Sequence, residues 1–195
     1  MLIKLKIFLQ FKLQIKDLKT GELLKDTAER VTSMAWAADN KTMFYVQEDA
    51  TTKRSDRLFR FSLGDKATEI YHEKVEQFGI GVGTSRDRKF IQLQAYATDT
   101  SEAWLLPANQ PQANFKSVLG REKGHRYNVE HREGSLFIRT NKNAKNFRIV
   151  TAPFANPVEK NWKEVVKHDD KVLVGNYEVF RDYLAVTEKT QALNR

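Results

Sequence analysis

The chain reads as short runs of alternating apolar and polar residues separated by polar turns, the pattern of half-buried β-strands. Four such runs follow one another in Val31–Glu73. Val31–Ala37 is apolar and ends in the turn Ala38-Asp39-Asn40-Lys41, Thr42–Val46 is β-branched and aromatic, Arg57–Leu63 alternates, and Thr68–His72 closes the unit. The layout then recurs. Phe78–Gly120 carries runs at Gly79–Gly83, Phe90–Tyr96, Glu102–Leu106 and Phe115–Leu119. His125–Lys167 carries them at Tyr127–His131, Ser135–Thr140, Phe147–Ala152 and Trp162–Val166. The bulky residues Phe44, Phe90, Phe137 and Leu184 anchor the second run of successive units, at separations of 46, 47 and 47 residues. Four short strands at a constant period of that size are the signature of a β-propeller blade.

The ends are partial units. Residues 1–27 offer a strand near Phe11–Asp17, a turn at Leu18-Lys19-Thr20-Gly21 with glycine where positive φ is cheapest, and a short strand Glu22–Leu24. The alternation of Leu5, Ile7, Leu9, Phe11, Leu13 and Ile15 also predicts a strand. Residues 172–195 offer Val172–Phe180, a turn at Arg181-Asp182 and Tyr183–Thr187, and are expected to stop before a third strand. No helix-period segment interrupts the series. The expectation is an all-β chain, a β-propeller fragment forming one partial domain: half a blade (1–27), three blades (31–73, 78–120, 125–167) and half a blade (172–195). The half blades are complementary, so pairing between the termini, or edge-to-edge association of chains, is expected.

Composition changes little in this picture. With 41% hydrophobic and 30% charged residues the chain is globular, and it has no cysteine, which excludes disulfides and thiolate chemistry. Lysines 4, 6, 12 and 16 interrupt any signal-peptide core, and no apolar run reaches membrane-spanning length. Together these lead to the expectation of a cytoplasmic protein without membrane contact. The net charge is +8, concentrated in the segment 121–148, where eight basic residues face three acidic ones. A solvated loop face is the preferred reading. Binding of an acidic partner or nucleic acid through 121–148 is the alternative, weakened because Phe147 is the one aromatic near Arg139, Lys142, Lys145 and Arg148.

Candidate chemistry is sparse. None of the serines, at 33, 55, 62, 85, 101, 117 and 135, sits in a G-x-S-x-G elbow, and Gly83-Thr84-Ser85 leads into a turn. His72, His125, His131 and His168 lack metal-ligand spacing. Gly79-x-Gly81-x-Gly83 lacks both the spacing and the helix of a phosphate loop, and small residues there suit the crowded innermost strand. Asn40-Lys41-Thr42 has the form of a glycosylation sequon and reads as a turn. No catalytic, cofactor-binding or metal residue is assigned.

Several stretches resemble a known family. Thr32–Val46 (TSMAWAADNKTMFYV), Phe59–Gly64 (FRFSLG), Lys89–Leu106 (KFIQLQAYATDTSEAWLL) and Arg139–Pro153 (RTNKNAKNFRIVTAP), with Lys16–Leu24 ahead of them, are similar to the propeller of oligopeptidase B-type members of the prolyl oligopeptidase family of serine peptidases. The resemblance covers Phe11 to Arg195. It implies a seven-bladed propeller packed over an α/β-hydrolase domain whose Ser-Asp-His triad cleaves short peptides, after Lys or Arg in the oligopeptidase B group. The propeller would serve as lid and size filter. The triad belongs to a domain absent here, so the resemblance places no catalytic residue on this sequence. It implies a C-terminal hydrolase domain and short peptides as partners, and no cofactor.

Overall fold

A computed structural model describes residues 11–191 and 193–194. The first hairpin is β1 (Lys12–Lys16) with β2 (Leu23–Glu29). Sheet I follows as β3 (Val31–Trp36), β4 (Thr42–Glu48), β5 (Ser55–Ser62) and β6 (Thr68–His72). Sheet II is β7 (Gly79–Thr84), β8 (Phe90–Tyr96), β9 (Ser101–Pro107) and β10 (Lys116–Leu119). Sheet III is β11 (Tyr127–Arg132), β12 (Ser135–Thr140), β13 (Arg148–Pro153) and β14 (Lys163–Val166). The last sheet holds β15 (Val172–Val179), β16 (Leu184–Thr190) and β17 (Leu193–Asn194). Every sheet is an antiparallel meander in sequence order. A 3₁₀ turn at Glu159–Asn161 is the one helical element among the described residues. This is the all-β propeller fragment that the repeat predicts.

The details depart from expectation in four places. Strand β2 runs on to Glu29 because Glu29, Ala28 and Thr27 pair with Lys12, Leu13 and Gln14. A third strand does begin in the last sheet, where Thr190 pairs with Leu193 and Lys189 with Asn194. The two terminal units do not pair with each other: among the described residues β1–β2 and β15–β16–β17 are separate sheets. The alternation over Leu5–Leu9 lies outside the described residues.

The fourth departure concerns the anchors. Phe44 packs between sheets I and II, Phe90 between II and III, and Phe137 between III and the last sheet. Leu184 instead packs back onto the core behind it, with Val179 and Val186. In a strand, parity decides the face. Leu184 is the counterpart of Leu136, which also faces the preceding sheet, and the 47-residue step from Phe137 crosses from one face to the other.

The sheets are held in series by these cores and by side chains that reach the exposed edge of the next first strand. Ser33 Oγ accepts a hydrogen bond from Val82 N–H at 3.0 Å. Gln92 and Gln94 donate to the carbonyls of Val129 and Tyr127, both at 3.3 Å. Arg139 donates through Nε and Nη2 to the Val174 carbonyl at 2.9 and 2.7 Å. An unpaired strand edge is thereby satisfied by the sheet before it. Burial, and to a lesser extent the neighbouring Arg126, bring the Arg139 guanidinium down to about 10.

Candidate functional site

The first hairpin turn of each sheet lies on one rim: Ala37–Lys41, Ser85–Lys89, Glu133–Gly134 and Arg181–Tyr183 separate the first two strands. On this rim the structure brings together a serine, an aspartate and a histidine. Ser85 Oγ donates to Asp87 Oδ1 at 2.7 Å, and His131 Nδ1 donates to Asp87 Oδ2 at 2.5 Å. Burial works against the Asp87 charge, but the bonds from Ser85, His131 and the Lys89 N–H hold its carboxyl below the usual range.

The residue types are those of a hydrolytic triad and the connectivity is not. A nucleophilic serine must give its proton to a histidine that the aspartate orients. Here the serine hydroxyl points at the aspartate, accepts the Phe90 N–H at 3.0 Å, and is buried. His131 Nε2 accepts the Gly134 N–H at 3.2 Å, so its second nitrogen is engaged as well. The ring packs edge-on against Phe90 and Phe154, at 4.7 and 5.6 Å between centroids. The trio is a latch between sheets II and III. Sequence reading treated Ser85 and His131 separately and missed Asp87. The repeat carries the signal: Asp87 follows the first strand of one sheet and His131 lies near the end of the first strand of the next, so the two are neighbours on the rim.

The other histidines are dispersed. His125 Nε2 lies 2.8 Å from Thr140 Oγ1, and burial pushes its imidazole below the ordinary value. His72 sits 3.6 Å from Asp56, and His168 3.6 Å from Asp170. No group of three potential metal ligands occurs among the described residues. In β7, a Cβ on Gly79 would stand 3.2 Å from the Tyr96 ring and one on Gly81 3.9 Å from Ser33 Oγ, whereas Gly83 has open space. Crowding therefore explains the first glycine. Asn40 takes φ 55° in its turn, where Asp39 accepts the Lys41 and Thr42 N–H groups and the Thr42 hydroxyl.

The basic segment 121–148 uses its charge inside the fold. Arg121 pairs with Glu73 and Glu102, Lys142 with Glu122, Lys145 with Asp170, and Arg148 with Glu164. Arg126 and Arg139 both lie over the Phe147 ring, and Arg132 over Phe137. Phe147, read from sequence as a lone aromatic for nucleic acid, is occupied by these two arginines.

Cations also line a cleft of about 390 Å³ on the rim, between sheet II, sheet III and the last sheet, with Arg132 of segment 121–148 among them. Arg86, Lys89, Arg132 and Arg181 surround a floor of Val179 and Phe180. The Arg86 guanidinium stacks 4.1 Å above the Phe180 ring and bonds Glu178 at 2.9 Å. Arg132 donates to the Phe180 carbonyl at 3.3 Å.

Fold and geometry together define a β-propeller segment. Residues 10–195 match the family described as prolyl oligopeptidase, N-terminal beta-propeller domain, and the chain belongs to that family. It is 38% identical to dipeptidyl aminopeptidase BI of Pseudoxanthomonas mexicana, over 94% of this chain and 26% of that protein. It is 30% identical to protease 2 of Moraxella lacunata, over 95% of this chain and 27% of that protein. Among solved structures it superposes on oligopeptidase B from Leishmania major with a TM-score of 0.88 and 25% identity, covering 95% of this chain and 27% of that one. Oligopeptidase B from Trypanosoma brucei, in its closed form with covalently bound antipain, gives 0.80 and 29%, covering 88% of this chain and 25% of that one. The chain spans about a quarter of the length of these relatives. The resemblance read from Thr32–Val46 and Arg139–Pro153 leads to the same family.

Proposed function

We propose that this chain is the lid and size-filter portion of an oligopeptidase B-like serine peptidase. Its partner would be a C-terminal α/β-hydrolase domain, its compartment the cytoplasm, and the substrates of the whole enzyme short peptides cut after Lys or Arg. A lid contributes by excluding water and bulky substrates and by opening to admit small ones. The observation that carries this reading is the pairing of family membership with the Ser85–Asp87–His131 latch, whose hydrogen bonds leave no activated hydroxyl. The chain itself is therefore non-catalytic. An arginyl-peptide amide substrate should show no turnover with the 195-residue chain, and a fluorophosphonate serine probe should leave it unlabelled. Stoichiometric labelling would overturn the reading.

The alternative, a scaffold gripping nucleic acid or an acidic partner through 121–148, finds little support in the geometry. Of the eight basic side chains there, seven have carboxylate, carbonyl or aromatic partners within the chain, and Lys123 has none among the described residues.

A further inference from the structure

Between the outer strands of sheets I and II the seam opens into a cavity of about 330 Å³. Its walls include Ile70 and Tyr71 of β6, Leu93 of β8, Trp104 of β9 and Phe115. Tyr71 and Trp104 stand 5.6 Å apart at a tilt of 50°, and Phe115 meets Phe44 edge-on at 5.7 Å. The three lining rings are thus fixed by contacts of their own, yet each is only half-buried. No acidic residue lines the cavity, and Arg60 of β5 is its one charged group. The Arg60 guanidinium donates through Nη1 to the Pro111 carbonyl at 3.0 Å, and it has no carboxylate partner among the described residues. Tyr71 turns its hydroxyl away to Glu73, whose charge Arg121 already holds. The exposed Asn114 amide, which also lines the cavity, has no partner among the described residues. A guanidinium anchored by one bond keeps its other donors, and their planar fork matches a carboxylate.

We propose that this cavity binds a small aromatic carboxylate, with its ring among Tyr71, Trp104 and Phe115 and its carboxylate on Arg60 and Asn114. Tilted and edge-on contacts with three fixed rings favour an aromatic ligand over an aliphatic one. The uncompensated Arg60 charge selects an anion and opposes the cations that such rings would otherwise attract. A volume near 330 Å³ lies at the lower end of the range of ligand sites, ~300–1,000 Å³, which suits one ring and a short arm. The proposal goes beyond the peptidase reading and does not depend on it, since binding requires neither a hydrolase domain nor turnover.

The test is an NMR titration of the full chain with hydrocinnamate, with hydrocinnamyl alcohol and propionate as comparisons. Saturable binding of hydrocinnamate is expected, with the alcohol and propionate each at least tenfold weaker. Arg60→Gln, which retains a donor for the Pro111 carbonyl, should weaken hydrocinnamate at least tenfold and leave the alcohol unchanged. Ala113→Leu, at a residue that lines the cavity, should weaken both ligands by filling the space. Lys123→Ala, on a cation outside the cavity, should alter neither. Absence of saturable binding, equal affinity for acid and alcohol, or equal losses for Lys123→Ala and Arg60→Gln would overturn the proposal. Should Arg60→Gln or Ala113→Leu lower the melting temperature, the unmodified chain decides. Nuclear Overhauser contacts must then join the hydrocinnamate ring to the Trp104 and Phe115 rings, and their absence overturns the proposal.

Discussion

Arg121 Nη2 lies 2.7 Å from Oε2 of Glu73, a carboxylate only 3% exposed, and so ties the connection after β10 to the exit of β6. The same guanidinium bonds Glu102 of β9 at 3.1 Å and stacks 3.8 Å from the Phe78 ring. Tyr71 donates a further hydrogen bond to Glu73 at 2.9 Å, and the Val75 N–H another at 3.0 Å. One cation therefore joins sheets I and II at the outer end of their seam, where the apolar core gives way to solvent.

Removing that cation should be costly. Arg121→Met leaves the buried Glu73 charge without its main partner, and breaking such a pair costs about 3–5 kcal/mol. The denaturation midpoint in urea should fall accordingly. The double variant Glu73→Gln with Arg121→Met should be less damaged than the sum of the two single changes, because no unpaired charge remains. Additive losses would show that the pair is not energetically coupled.

Acid should destabilise the chain through the same groups. Burial of Glu73 opposes its ionisation, but bonds from Arg121, the Val75 N–H and Tyr71 prevail and hold its carboxyl below the ordinary range, as the Asp87 carboxyl is held. A carboxylate depressed in the folded state stabilises it above the unfolded value of ~4, and that contribution is lost as pH falls through the folded value. The melting temperature should hold above about pH 5 and fall below about pH 4. Glu73→Gln should flatten this fall. Glu130, whose carboxyl burial holds above its ordinary value, acts in the opposite sense. Glu130→Gln should remove this offsetting gain on acidification and so steepen the acid decline.

Two glycines should respond oppositely to alanine. A Cβ at Gly175 would stand 2.8 Å from the Thr187 backbone oxygen, whereas at Gly83 it meets nothing within 4 Å. Gly175→Ala should cost about 1–3 kcal/mol by forcing β15 away from β16. Gly83→Ala should be neutral or slightly stabilising, since it reduces the freedom of the unfolded chain. Equal melting temperatures for the two variants would contradict the close approach at Gly175.

Tyr177 bridges sheet III and the last sheet. Its hydroxyl donates to the Phe137 carbonyl at 2.8 Å and lies 3.2 Å from the Asn128 carbonyl, and burial pushes the phenol well above its usual range. Tyr177→Phe keeps the ring and removes the bond, with an expected loss of about 1–2 kcal/mol. Hydrogen exchange should then accelerate in β15 and β16 more than in β7 and β8.

Much of the architecture was legible in the chain. Thr68–His72, Phe90–Tyr96 and Ser135–Thr140 are strands with the limits read from the sequence, and in Phe90–Tyr96 the buried Ile91, Leu93 and Ala95 at every second position leave little latitude for register. Strand β2 extends past the Glu22–Leu24 expectation although Asp26 and Glu29 look like loop residues, because Thr27, Ala28 and Glu29 pair with β1. The rim latch is legible only through the repeat register, which sets the ends of consecutive first strands side by side. Asp87 and His131 are 44 residues apart, and nothing local to either turn announces the other.

The repeat period, the order of strands within each sheet and the polar turns follow from the sequence alone, because all three are local consequences of alternation and turn chemistry. Tertiary structure decided which face each anchor presents, so that Phe137 points forward and Leu184 back. It also decided that the basic segment is paired internally, that Ser85 and His131 share an aspartate without forming a triad, and that Arg86 stacks over Phe180. Such relationships depend on the offset between neighbouring sheets. A single strand, whose two faces are equivalent until something packs against one of them, carries no record of that offset.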